Sequence, residues 1–467
     1  MKRQTNRILR TSFLTILVLL GGTSAQGQNT PEMREILNRL ERLEQENQSL
    51  TREVHALRQE ISGLRTTPGE VSGSSAMSTD GQAAPSPSAP SPESESIQTA
   101  RIDELAQTKV EASQKFPIRL TGMALFNAYV NGRNNGDADN PVIGSLYGGE
   151  ATGGATLRQT TIGLLFNGPR VFADGKVSGS LYMDFFGGST SSIGHLFRIR
   201  TAAINFDWTN TSFMAGQDKP IISPRDPDSL AQVGLSPLTG AGNPWLWQPQ
   251  FRIEQRVNLS PDNGFRVQAG VFQTSNPNLS NSTAPYQSES SRPGAEGRLE
   301  FWQRWGESGR LEIAGGFHYN RNHLGGYSLP SNVYSMDWFF RPIPRIELSG
   351  MFFQGRNVQV LGALTPGFNI LPTGQAISVA SSGGWAQLHV PITSRLAWNI
   401  FGGEQVNRES DLLSGNAASN AAYFSNFMYR LAPNVIVSLE GGQVRTNYYL
   451  IGNRLNDHYD LAIGYLF

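Results

Sequence analysis

The chain has 467 residues, with 38 basic side chains balanced by 38 acidic ones, and no cysteine. Balanced charge leaves no chain-wide basic field for nucleic acid. The missing thiols exclude disulfides, cysteine nucleophiles, thiolate metal sites and a lipid-bearing cysteine.

Residues 1–25 read as a signal peptide. MKRQTNRILR is basic, TSFLTILVLLGG is a short apolar core, and TSAQ supplies small residues around a cut after Ala25. A membrane anchor is the alternative, but the apolar run is too short to span. Further on, no run of 18 apolar residues offers a transmembrane helix. A closed β-barrel escapes that test, because only every second residue of its strands is apolar.

Residues 31–65 carry a seven-residue repeat. Met33, Leu40, Asn47, Val54 and Ile61 occupy one seam position, and Ile36, Leu43, Leu50, Leu57 and Leu64 the other. So narrow an apolar seam predicts a coiled coil rather than a helix lying on a globular face. Asn47 sacrifices stability to fix register, and β-branched residues paired with leucine lean toward a dimer. Residues 66–115 are a Ser/Pro/Ala-rich linker that ends in a short helical patch. The linker buries too little to offset its ordering entropy.

From Phe116 to Phe467 the pattern has period two. In IRLTGMALFNAYVN, Leu120, Ala124, Phe126 and Val130 lie on one side, and Arg119, Thr121, Asn127 and Tyr129 on the other. Sixteen candidate strands follow, beginning near residues 118, 155, 175, 195, 211, 248, 264, 294, 310, 332, 345, 382, 395, 418, 434 and 457. Short turns such as TNT, SPDNG, WGESG and LAPN alternate with mostly longer loops. The expected fold is therefore an all-β transmembrane barrel of about sixteen antiparallel strands with both ends on the short-turn side. A propeller or β-helix would show a fixed repeat, which is absent, and a sandwich does not call for lopsided loops.

Alternation sorts the faces. Phe251, Ile253, Val257 and Leu259 point to lipid, so Arg252, Glu254 and Arg256 point inward. Likewise Arg298, Glu300 and Arg304 face the lumen, as does Asp184. Arg198 and Arg200 are inward too, but Ile204, Phe206 and Trp208 have the opposite parity, which requires a bulge near Ala202. Charged residues inside imply a wet pore. Trp208, Trp245, Trp247, Trp305, Trp338, Tyr423, Tyr429, Tyr459 and Tyr465 suit interfacial girdles.

The segment from Asp218 to Trp247 contains Pro220, Pro224, Pro227, Pro237 and Pro244. A loop this long is usually functional. Folded inward, it sets Asp218, Lys219, Arg225, Asp226 and Asp228 against the wall arginines, giving a transverse field across a constriction. The alternative is an outward surface loop. After Phe116, 23 of 25 basic residues are arginine, against 24 acidic residues. Selectivity must then come from placement, and arginine suits carboxylates and phosphates.

No metal, cofactor or nucleotide motif is present, and six scattered histidines lack ligand spacing. An esterase-like pairing of His318 with Ser335 is conceivable, but a simple lumen histidine fits better.

GMALFNAYV, RQTTIGLLFNG, FRIRTAAINF, AGQDKP with its long loop, FRIEQRV and the terminal aromatic strand resemble bacterial general porins, and more specifically the DcaP-like trimeric porins. The resemblance implies a sixteen-stranded homotrimer passing small hydrophilic solutes, with an inclination toward carboxylates. By that analogy Arg198, Arg200, Arg252 and Arg256 belong to the constriction. The heptads lean dimeric, but the barrel interface should dominate. The last strand, with Tyr465 and Phe467, resembles the signal read by the barrel-assembly machinery. The expectation is a porin in the bacterial outer membrane, with its coiled coil in the periplasm and lipid as its surroundings. The rivals are a structural anchor tethering the envelope through the coiled coil, and a barrel enzyme acting on lipid.

Overall fold

The computed structural model describes residues 118–188, 195–273, 292–324 and 327–467. The signal peptide, coiled coil with Asn47, and linker lie outside the described residues.

The wall strands run in chain order. They are β1 (Ile118–Asn131), β2 (Thr152–Thr156), β3 (Thr161–Val171), β4 (Gly175–Gly188), β5 (His195–Asp207), β6 (Thr211–Asp218), β7 (Gln248–Asn258) and β8 (Asn263–Phe272). They continue with β9 (Gly294–Trp305), β10 (Gly309–Leu324), β11 (Tyr327–Ile343) and β12 (Ile346–Arg356). A small hairpin of β13 (Phe368–Ile370) and β14 (Ala376–Ser378) interrupts before β15 (Ala380–Pro391). The wall ends with β16 (Leu396–Asn407), β17 (Ala417–Ala432), β18 (Val435–Tyr448) and β19 (Gly452–Leu466).

Every wall strand pairs antiparallel with its neighbours, and β1 closes on β19 from Met123–Leu466 to Asn131–His458. The sheet has 17 strands, but β2 and β3 both pair with β1 as two halves of one wall strand. The barrel is therefore sixteen-stranded. The split falls at 157–160, where Arg158 and Gln159 turn into the interior and are buried. The Thr160 hydroxyl bridges the gap, accepting from the Leu125 amide at 3.0 Å. Closure leaves no backbone edge unpaired, which is what an apolar solvent requires.

The faces invert the usual order of a globular protein. Along β19, Tyr459, Leu461, Ile463 and Tyr465 are exposed, while His458, Asp460 and Ala462 are buried. Exposed apolar side chains recur outside on other wall strands, for example Phe251, Phe352, Ile400 and Phe427. Such a band is stable only against lipid or another protein. At the short-turn end, Trp208 packs on Phe172, and Trp305 on Phe340. Trp245 and Trp247 are a correction. Both sit inside the barrel, packed edge to face at 4.9 Å. Their parity belongs to a loop, so strand alternation did not apply to them.

The bulge inferred from parity is present. Tyr182 faces Thr201 and Met183 faces Ile199, so Arg200 is the extra residue, two positions before Ala202. Arg198 and Arg200 share the inner face, and the bulge shifts the parity after them so that Ile204 lies outside.

The interior is not uniformly wet. Val333, Met351, Phe353, Trp385, Phe401, Phe424 and Val444 point inward and pack on Ile222, Leu238, Val358, Val360 and Leu361 from two loops. One side of the lumen is thus an apolar core. The charged side chains line the other.

Candidate functional site

The segment from Lys219 to Trp247 folds into the barrel. Its prolines lack N–H groups and prevent a regular ladder, so its carbonyls need other donors. The wall supplies them. Asn127 Nδ2 donates to the Leu230 carbonyl at 2.9 Å, and Gln159 Nε2 to that of Ala231 at 2.8 Å. Arg200 Nη1 reaches the Val233 carbonyl and Arg198 Nη2 that of Gly234, both at 2.6 Å. In return, Gln159 Oε1 accepts the amides of Val233 and Gly234. Ser229 Oγ and Gln232 Nε2 donate to Glu440 at 2.6 and 3.0 Å. These partners form one arc of the closed wall, from β18 through β1 to β5. Earlier in the loop, Arg225 reaches Glu312 on β10 and Asp337 on β11, and Asp228 meets Gln387 on β15, so the loop crosses the lumen rather than lying on one wall.

The charges follow a different plan from the one expected. Asp218 does meet Arg252, at 3.2 Å. But Arg225, on the loop, pairs with the wall acids Glu312 and Asp337, and Lys219 pairs with Asp226 of its own loop. Asp228 accepts from Gln387 Nε2 at 2.7 Å. The simple opposition of acidic loop and basic wall is therefore replaced by interleaved pairs. Each loop charge is partly removed from water, and pairing lowers the cost of its burial. Burial pushes the Lys219 ammonium down to about 8; Asp218 opposes the fall and Arg200 adds to it.

The arginines expected at the constriction divide into two groups. Arg198 and Arg200 share buried Asp184, at 2.7 and 2.9 Å, and both guanidiniums also lie over the Trp247 ring. Arg298 is buried and heavily engaged. It donates to both oxygens of Asp337 at 2.7 and 2.8 Å, to Glu300 at 2.6 Å and to Gln268 at 3.0 Å. Such a guanidinium braces the wall, with four of its five N–H donors committed to protein partners. Arg256 donates to Glu254 at 3.0 Å but remains about a third exposed. Arg304 stands near the mouth on the short-turn side, with its guanidinium over Trp302. Arg256, Arg266, Arg304 and Arg310 surround a space of about 400 Å³ there, with Glu312 as its acid. A second space of about 460 Å³ lies against the loop, lined by Arg225, Asp226, Asp228, Arg298 and Glu300 among others.

Sequence reasoning passed over Arg158, Asp139 and Gln159. Arg158 and Asp139 form a buried pair at 3.3 Å, and Gln159 grips the loop. The QTT of RQTTIGLLFNG was read as strand, so its inward turn was invisible. The pairing of His318 with Ser335 is not formed. His318 Nδ1 lies 2.8 Å from Glu296, and the Ser335 hydroxyl donates to the Ile222 carbonyl.

The closed barrel of sixteen strands matches known architecture. Superposed on DcaP, an outer membrane channel of Acinetobacter baumannii, the chain gives a TM-score of 0.60 at 17% identity. That match covers 75% of this chain and 97% of the other. The chain carries the porin fold. An anion-selective porin from Comamonas acidovorans shares the porin fold at a TM-score of 0.53 and 12% identity, covering 76% of this chain and 100% of that one. Salmonella typhi OmpF, in complex with daunomycin, shares it at 0.50 and 11%, covering 75% and 97%. No family model and no curated protein matches the chain.

Proposed function

We propose that this chain is a bacterial outer-membrane porin that lets small hydrophilic solutes, preferentially anionic carboxylates, diffuse through a loop-narrowed lumen. The observation that carries the reading is the loop of residues 219–247 laid across a barrel whose open side is rich in arginine. Such a pore needs no catalytic group. It lowers the dielectric barrier that excludes ions from lipid, and its wall charges sort them. Arg256, Arg266, Arg304 and Arg310 around one mouth favour the entry of anions, while Arg198, Arg200 and Arg252 flank the narrowed part. The porin fold supports a location in the outer membrane, with the longer loops outside the cell. The homotrimer implied by the sequence resemblance is the assembly we expect, and the mass of the detergent-solubilised protein tests it.

Planar-bilayer recording tests the reading directly. Purified protein should give discrete conductance steps, and protein that folds yet gives none would sink the idea. Replacing Arg252 and Arg256 together by Gln leaves Asp218 without its paired arginine and Glu254 with only Arg266, at 3.9 Å. Anion preference should then fall by a factor on the order of 2–10, the scale on which one-signed clefts concentrate counter-ions. An unchanged reversal potential would remove these two residues from the selectivity mechanism.

A further inference from the structure

The outer wall carries a groove that the pore does not use. It spans β11, β12, β15 and β16 at the loop end of the barrel and encloses about 540 Å³. Pairing fixes its plan. Tyr334, Gln354, Ser382 and Val406 form one cross-strand row, through the pairs Tyr334–Gln354, Gln354–Ser382 and Ser382–Val406. In the next row toward the loops, Asn332 pairs with Arg356, and Arg356 with Ala380. Arg408 joins that row, its amide donating to the Ala380 carbonyl at 2.8 Å. All these side chains have outward parity.

The floor is low because β15 presents only Ala380 and Ser382. The banks are high because β12 and β16 present arginines. With one strand between them, the Arg356 and Arg408 backbones stand about 10 Å apart. Arg356 spends one N–H on the Ser378 carbonyl at 3.2 Å. Among the described residues, neither arginine makes an ion pair. Glu404 lies two residues before Val406 on the same face, away from the loops. Asp411 is engaged by the Ala380 amide at 3.0 Å. Below the groove the wall is mostly apolar: Met336 and Phe352 are exposed, and their row runs through Gly384 to Glu404 at its far end.

Two unpaired cations above a shallow trough that opens onto an apolar band suit an amphiphile with an anionic head. We propose that the groove binds the phosphorylated headgroup of a lipid in the leaflet on the loop side. Arg356 and Arg408 clasp the phosphate, and an acyl chain runs down over Ser382 toward Phe352. Arginine suits this role because its planar fork matches phosphate oxygens two at a time. The inference rests on the porin reading, since it requires this wall to face a membrane.

The test is native mass spectrometry of the full chain in detergent with added bisphosphorylated glucosamine-disaccharide lipid. The wild type should retain the lipid. The double variant Arg356→Gln/Arg408→Gln should retain it at least tenfold less, and Arg445→Gln, also exposed on the outer wall, should match the wild type. Heat-dependent gel mobility confirms that each variant is folded. Equal retention by the double variant and the wild type would overturn the proposal. So would equal binding of the dephosphorylated lipid, or displacement by equimolar inorganic phosphate, which marks a free-anion site. A changed oligomeric mass in the double variant would make the groove a protein interface and also overturn it. Bilayer conductance is scored separately. Lipid retention without conductance would reject the porin reading, and conductance without retention would reject only the groove.

Discussion

Asp184 takes a two-pronged hydrogen bond from Arg198, with Nε to Oδ1 at 3.2 Å and Nη2 to Oδ2 at 2.7 Å. The carboxylate has no exposed surface, and Arg200 shares its second oxygen. The same two arginines hold the loop at Val233 and Gly234. One buried acid thus sets the charge of the wall and the position of the loop at once.

Asp184→Asn should therefore change two readouts. It leaves two partly exposed guanidiniums without their counter-charge, so the reversal potential in a salt gradient should move toward that of the anion. Each charged hydrogen bond lost is worth about 1.5–3 kcal/mol, so the loop should also loosen and open-channel noise should rise. A variant with wild-type selectivity and noise would show that Asp184 is only wall packing.

Arg225→Gln tests the other end of the loop. Arg225 ties the loop to Glu312 and Asp337, yet both acids keep a second arginine, Arg310 and Arg298 respectively. The destabilisation should accordingly stay near the cost of one charged hydrogen bond or two, about 1.5–6 kcal/mol. Single-channel conductance should rise as the loop swings from the wall. Conductance equal to wild type would mean that the remaining contacts suffice to hold it.

Alkaline titration should expose Lys219. Its ammonium loses its proton near pH 8 instead of its ordinary range, because burial disfavours the charge. Below that pH the lysine offsets Asp226. Above it the lumen has one cation fewer, so anion preference should fall between about pH 7 and pH 9. Lys219→Met should start at the lower preference and lose the step. If the step persists in that variant, another group produces it.

The barrel seam is sensitive at Gly122. Its amide bonds the Phe467 carbonyl at 3.0 Å, and the Phe467 amide returns to the Gly122 carbonyl at 3.1 Å. A Cβ at Gly122 would come within 2.4 Å of the Thr161 carbonyl and 2.8 Å of the Phe467 ring. Gly122→Val and Phe467→Ala should both reduce the yield of folded, membrane-inserted protein. The channels that do assemble should conduct normally, because neither residue faces the lumen charges. Normal yield of both variants would remove the seam, and with it Phe467, from assembly.

The sequence by itself determined the wall. Period-two alternation is local, so it told which side chains of each strand face lipid, and turn residues told where each strand stops. The sixteen strand starts correspond to the sixteen wall strands, and even the bulge at Arg200 left its mark as a change of parity. Alternation also put Arg198, Arg252 and Arg298 inside, but it could not say what each would meet there. Only the tertiary structure decided that Arg298 is spent on Asp337, that Arg225 crosses to the same acid from 112 positions away, and that Phe353 and Phe401 face a packed half-lumen. Trp245 and Trp247 were misplaced for the same reason. An inward direction is written in neighbouring residues. An inward partner depends on closing the barrel and folding a proline-rich loop through it, which no local pattern records.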